Sequence, residues 1–135
     1  MTTRASGTFD VKLLPLSTAF TGDDAPLARM SIDKQFHGDL EATSKGEMLS
    51  ASSPKSGSAG YVAIEKVTGT LHGREGSFTL QHSATMNRGV PSLSVIVIPD
   101  SGTRALTGIS GSLNIIIENK QHSYELDYTL GEAHG

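Results

Sequence analysis

The sequence predicts an all-β protein: a single antiparallel eight-stranded meander closed into a β-barrel, one domain over residues 1–135. Three observations predict it. Apolar residues alternate with polar ones through seven or eight runs, the period-two pattern of a half-buried strand. Turn signals separate most of these runs at hairpin distances. The 15 glycines and a Ser/Thr-rich background favour strands and turns, and no stretch longer than a turn or two has an apolar period near 3.6. A meander of this length must hide its edges, and closure into a barrel does so completely.

The elements follow in chain order. Phe9, Val11 and Leu13 share one face of the first strand. Pro15, Gly22, Asp23, Asp24 and Pro26 then punctuate a loop from Leu14 to Leu27. Met30, Ile32 and Phe36 share a face, and Leu40, Ala42 and Met48 continue the same parity beyond Gly38. That reads as one long strand bent at Gly38-Asp39, with a hairpin there as the alternative. Ser52 to Ser58 forms a second loop. Strands follow over Tyr61–Leu71, Arg74–Met86, Leu93–Ile98, Gly108–Glu118 and His122–Leu130, with loops at Asn87–Ser92 and Pro99–Thr107.

Two hairpins permit a register. A two-residue turn on Gly73-Arg74 pairs His72 with Glu75, and therefore Val67 with Leu80 and Glu65 with His82. In either hairpin, this one or that at Asn119-Lys120, a four-residue turn would preserve the face but slide the partners by two. A turn on Asn119-Lys120 pairs Ile117 with His122, Ile115 with Tyr124 and Leu113 with Leu126. In both hairpins the apolar faces coincide, as a buried face requires. The predicted interior includes Val67, Phe78, Leu80, Leu113, Ile115 and Leu126.

Composition narrows the function classes. At 135 residues the chain is large enough to bury a core without staples, and it has no cysteine, so disulfides, thiolate metal sites and cysteine nucleophiles are excluded. A net charge of -3 with no basic face argues against nucleic acid. No apolar run approaches the roughly 20 residues of a membrane helix, and Met1-Thr2-Thr3-Arg4 lacks a signal-peptide core. The expectation is a cytoplasmic protein with neither membrane nor nucleic-acid partners. There is no nucleophile elbow, Walker loop, HExxH or dinucleotide fingerprint, so no cofactor is implied. The histidines at 37, 72, 82, 122 and 134 are not at ligand spacing, so no metal site is expected.

The polar residues on inward faces are the candidates for function. Glu65, His82, Tyr124, His122, Tyr61 and Tyr128 are the candidate ligand-binding residues, and no residue is assigned a catalytic role. A buried carboxylate or imidazole requires a partner, and the register makes Glu65 and His82 each other's. Such a pair can shift its pKa values as acid–base groups do, or simply be satisfied in the core. His122 is expected at the rim, Tyr128 as packing with its hydroxyl toward water at the barrel mouth, and His37, His72 and Arg74 as surface groups. Lys34 either snorkels to a barrel end or pairs with Glu65.

Four runs in order resemble one known family over nearly the whole chain. They are Phe36-His37-Gly38-Asp39-Leu40-Glu41, Gly73-Arg74-Glu75-Gly76-Ser77-Phe78, Ser101-Gly102-Thr103 with Leu106-Thr107-Gly108, and His122-Ser123-Tyr124 through Asp127-Tyr128. Together they resemble the bacterial domain of unknown function 3224. That family is similar in fold to allene oxide cyclase, so the resemblance implies an allene oxide cyclase-like barrel with an internal cavity. It implies no activity, and no catalytic residue of the cyclase maps onto this chain. The chain departs from the family at Arg104, where a second glycine is favoured.

Three functions compete. The leading one is a barrel binding an apolar or amphipathic small molecule inside, from its aliphatic interior with a few polar groups. The second is a cofactor-free isomerase or cyclase using Glu65 and His82. The third is a packed structural or oligomerising barrel with no ligand. Outward Ile96, Ile98 and Ile116 would form an exposed apolar patch, which favours a homo-oligomer, a dimer first. The loop bearing Leu16, Phe20 and Leu27 is the competing cover.

Overall fold

The computed structural model describes residues 2–18, 27–53 and 56–131. Eight antiparallel strands run in sequence order around a closed barrel: β1 (Thr3–Leu16), β2 (Leu27–Gly38), β3 (Leu40–Ser53), β4 (Ser58–Leu71), β5 (Arg74–Asn87), β6 (Val90–Val97), β7 (Ile109–Glu118) and β8 (Gln121–Leu130). A 3-10 turn at Arg104–Leu106 is the one helical piece among the described residues. Phe20 and most of the Leu14–Leu27 loop lie outside the described residues.

Parity holds from strand to strand. Val67, Phe78, Leu80, Leu113 and Leu126 are buried, and Ile115 is half-buried against them. The Gly38-Asp39 segment is a hairpin and not a bend: Phe36 pairs with Ala42, and the two arms are antiparallel neighbours. Gly38 takes φ +110°, which admits glycine freely, and both arms keep even-numbered residues inward. Bend and hairpin therefore leave the same apolar pattern.

The β4–β5 register differs by two residues from the sequence reading. The turn is His72-Gly73, both with positive φ, and it sets Leu71 opposite Arg74. A type I′ hairpin turn takes glycine most readily at its second position, which moves the turn back by one residue. Glu65 accordingly faces Leu80, and His82 faces Ala63. A slip of two preserves every face. The β7–β8 turn at Asn119-Lys120 pairs Ile117 with His122, as expected. The Asn87–Ser92 loop shrinks to a turn at Arg88-Gly89.

The two ends differ. The lower end is plugged by the segment after β6, where Leu106 is fully buried against Gly76. Thr103 anchors it: its Oγ1 accepts from the Ser77 backbone N–H at 3.0 Å. Arg104 takes φ +51°, the left-handed conformation that a glycine would adopt without strain. At the upper end β6 keeps level with β5 to its tip, Asn87 opposite Val90, and it pairs with β7 only at Ile96 opposite Ser112 among the described residues. Leu93 and Ile117 point inward by parity but are 43% and 64% exposed. Among the described residues they sit on an open mouth.

On the exterior, Ile96 is exposed while Ile98 and Ile116 are half-buried. The outward apolar face is built instead from Leu49 paired with Val62, then Ile64, linked to Ile96 through Gln81.

Candidate functional site

The open mouth leads into a cup of about 220 Å³ to which every strand contributes. Val11 and Leu13 of β1, Ile32 of β2, Met48 of β3 and Ala63 of β4 form part of its apolar wall. Leu93, Ile115 and Ile117 supply the wall from β6 and β7. Above it, a second hollow of about 390 Å³, a trough over Met86, Pro91 and Ser92, shares Met48, Tyr61 and Leu93 with the cup.

The polar residues in the cup converge on Glu65, which is fully buried. Its Oε1 accepts from the Ser44 hydroxyl at 3.1 Å. Its Oε2 accepts from the Lys34 ammonium at 2.8 Å and from His82 Nε2 at 2.8 Å. Gly46 lies directly opposite Glu65 on β3, where a side chain would come within 2.8 Å of the Glu65 Cβ. Ala63 opposite His82 leaves the imidazole room to lean diagonally toward Glu65, within reach of a long side chain. So the predicted Glu65–His82 contact forms, although the two are not direct cross-strand partners.

Lys34 does not snorkel outward. Its side chain is 7% exposed, paired with Glu65, and lies 4.9 Å over the Phe9 ring. Burial pushes the Glu65 carboxyl up, but the His82 hydrogen bond and the Lys34 charge together outweigh it and hold it below its ordinary value. The carboxylate is therefore ionised at neutral pH and accepts both nitrogens. His82 Nδ1 makes no hydrogen bond within the described residues and is not sealed off, so it faces the cup. Tyr61 lines the rim of the same space, 6.4 Å ring to ring from His82, its hydroxyl pushed up by burial and by the Glu65 charge. His122 also lines the cup, its ring 5.2 Å from that of Phe9.

The remaining two candidates lie elsewhere. Tyr124 is buried at the lower end, where its hydroxyl accepts from the Leu40 N–H at 2.9 Å and donates to the His37 carbonyl at 3.0 Å. Tyr128 meets His72 Nδ1 at 2.6 Å, also at the lower end and away from the mouth where its hydroxyl was expected. Neither lines the cup. Both share inward parity with His122, and parity does not say which end of a strand meets the plug. Lys34 and Ser44 belong with Glu65; the sequence offers Lys34 as its alternative partner and signals Ser44 only by inward parity. No group of three or more metal-binding side chains occurs among the described residues.

The fold and this cluster define a small β-barrel, open at one end among the described residues, with a buried ionic cluster at the floor of an apolar cup. The chain belongs to the family described as protein of unknown function (DUF3224), whose family model matches residues 5–128. It is similar to a crystal structure of a DUF3224-family protein of unknown function from Shewanella oneidensis MR-1. The two share 50% sequence identity with a TM-score of 0.93, over 98% of this chain and 100% of that one. No curated protein matches. No helix among the described residues is long and apolar enough to cross a membrane.

Proposed function

We propose that the protein binds a small apolar or amphipathic molecule in the cup. The supporting observation is the open apolar cavity with one preorganised polar cluster at its floor, the usual anatomy of a ligand site. A barrel packed full, the structural alternative, would leave no such space. Titration with N-phenyl-1-naphthylamine, a neutral probe that brightens in apolar surroundings, tests the reading. Saturable one-site binding is expected, weakened about tenfold or more by Ala63→Leu, which fills the cup at a cost near 1.4 kcal/mol of affinity. Outward Val62→Leu is expected to leave it unchanged. Absence of saturable binding by the wild type overturns the proposal.

One observation favours the isomerase reading as second: an ionised carboxylate holding an imidazole whose other nitrogen faces the cavity is an acid–base arrangement. It requires a turnover that Glu65→Gln abolishes while probe affinity survives.

The proposal includes self-association of two copies through the exterior face around Ile96. Sedimentation of the wild type at micromolar concentration is expected to give a dimeric mass and Ile96→Glu a monomeric one. A monomeric wild type refutes it.

A further inference from the structure

The donors and acceptors facing the cup are out of balance. Glu65 is the only carboxylate in its lining among the described residues, and both its oxygens are already engaged by Ser44, Lys34 and His82. The Lys34 ammonium has three N–H donors and spends one on Glu65; no other acceptor within the described residues takes the rest. Beside it, His82 presents Nδ1. Because Nε2 donates to an ionised carboxylate, protonating Nδ1 turns the ring into a second donor held in place by Glu65. A cationic head would meet Lys34 and find no free carboxylate.

We propose that the cup selects an amphiphile with an anionic, acceptor-rich head, and that His82 takes up one proton as the head settles between its Nδ1 and Lys34. The apolar body then follows the wall past Met48 and Leu93 into the trough above. This rests on the ligand-binding reading and adds the head chemistry and the proton. The other ionisable groups facing the same space are Tyr61 and Glu65 on β4, Lys34 on β2 and His122 on β8. Of these, only His122 carries a second imidazole, so it is the competing proton acceptor.

Isothermal titration with decanesulfonate, decanol and decylammonium, at about pH 6 to 8 in buffers of different ionisation enthalpy, tests this. A sulfonate stays ionised throughout, so any proton taken up lands on the protein. Decanesulfonate is expected to bind at least about tenfold more tightly than decanol at pH 6, with decylammonium weakest. Its affinity is expected to fall by up to about tenfold per pH unit on the alkaline side, with uptake approaching one proton. His82→Gln, which keeps a donor toward Glu65, is expected to abolish the uptake, and His122→Gln to leave it intact. Equal affinity for sulfonate and alcohol, zero uptake by the wild type, or uptake that survives His82→Gln overturns the inference. If decanol and the neutral probe still bind in those cases, the ligand-binding reading stands; if nothing binds, both fall.

Discussion

Replacing Glu65 with leucine is expected to destabilise the protein by about 3–5 kcal/mol, because it leaves the buried Lys34 ammonium and His82 without their shared acceptor. Replacing all three groups together, as Lys34→Met with Glu65→Leu and His82→Leu, is expected to cost less than Glu65→Leu alone. Three apolar side chains leave no orphaned charge, and buried ionic groups rarely out-stabilise well-packed apolar ones. The Glu65–His82 double substitution is not sufficient, since it still strands Lys34. Urea unfolding of the wild type, Glu65→Leu, the double and the triple variant decides it, and a triple variant that loses as much as Glu65→Leu or more rejects the coupling. The pH dependence has a definite sign. The Glu65 carboxyl is held below its ordinary value of 4.5 in the folded state. Its contribution is therefore complete above that value and is lost as pH falls through the depressed one. The stability gap between wild type and Glu65→Gln should be constant near neutrality and shrink only in acid.

Phe78→Ala is expected to cost about 3–5 kcal/mol, the range for deleting a fully buried aromatic from a core that cannot collapse around the gap. Phe78 faces Val67 across the β4–β5 ladder, near the lower end closed by Leu106. Val62, five residues before Val67 on β4, has opposite parity and is 54% exposed. Val62→Ala is expected to stay within about 0.5 kcal/mol. Thermal or urea unfolding that shows comparable losses at both positions would contradict the inward–outward assignment.

Most of this barrel was legible because alternation is a local property. Each strand's inward set follows from a period of two, and a one-residue error would turn it inside out. Errors of two, and the choice between bend and hairpin, leave that pattern untouched. That is why β2 and β3 read as one strand, and why the sequence pairs Glu65 with His82 although it faces Leu80. The contact between them survived because both side chains are long and inward, and Ala63 and Gly46 make room around them.

The sequence by itself determined the all-β class, the strands and the faces they bury, and it put Glu65 and His82 inside together, since a buried charge must find a partner. Only the tertiary structure decided which end of the barrel is plugged. That depends on Leu106 packing against β5 from a loop whose residues carry no period. The same choice sorted the inward polar residues: Tyr124 and Tyr128 fell at the plugged end, Tyr61 and His122 at the open one. It also recruited Lys34 and Ser44 to Glu65 from strands β2 and β3. Closure, stagger and long-range pairing are properties of the whole sheet, and no local period encodes them.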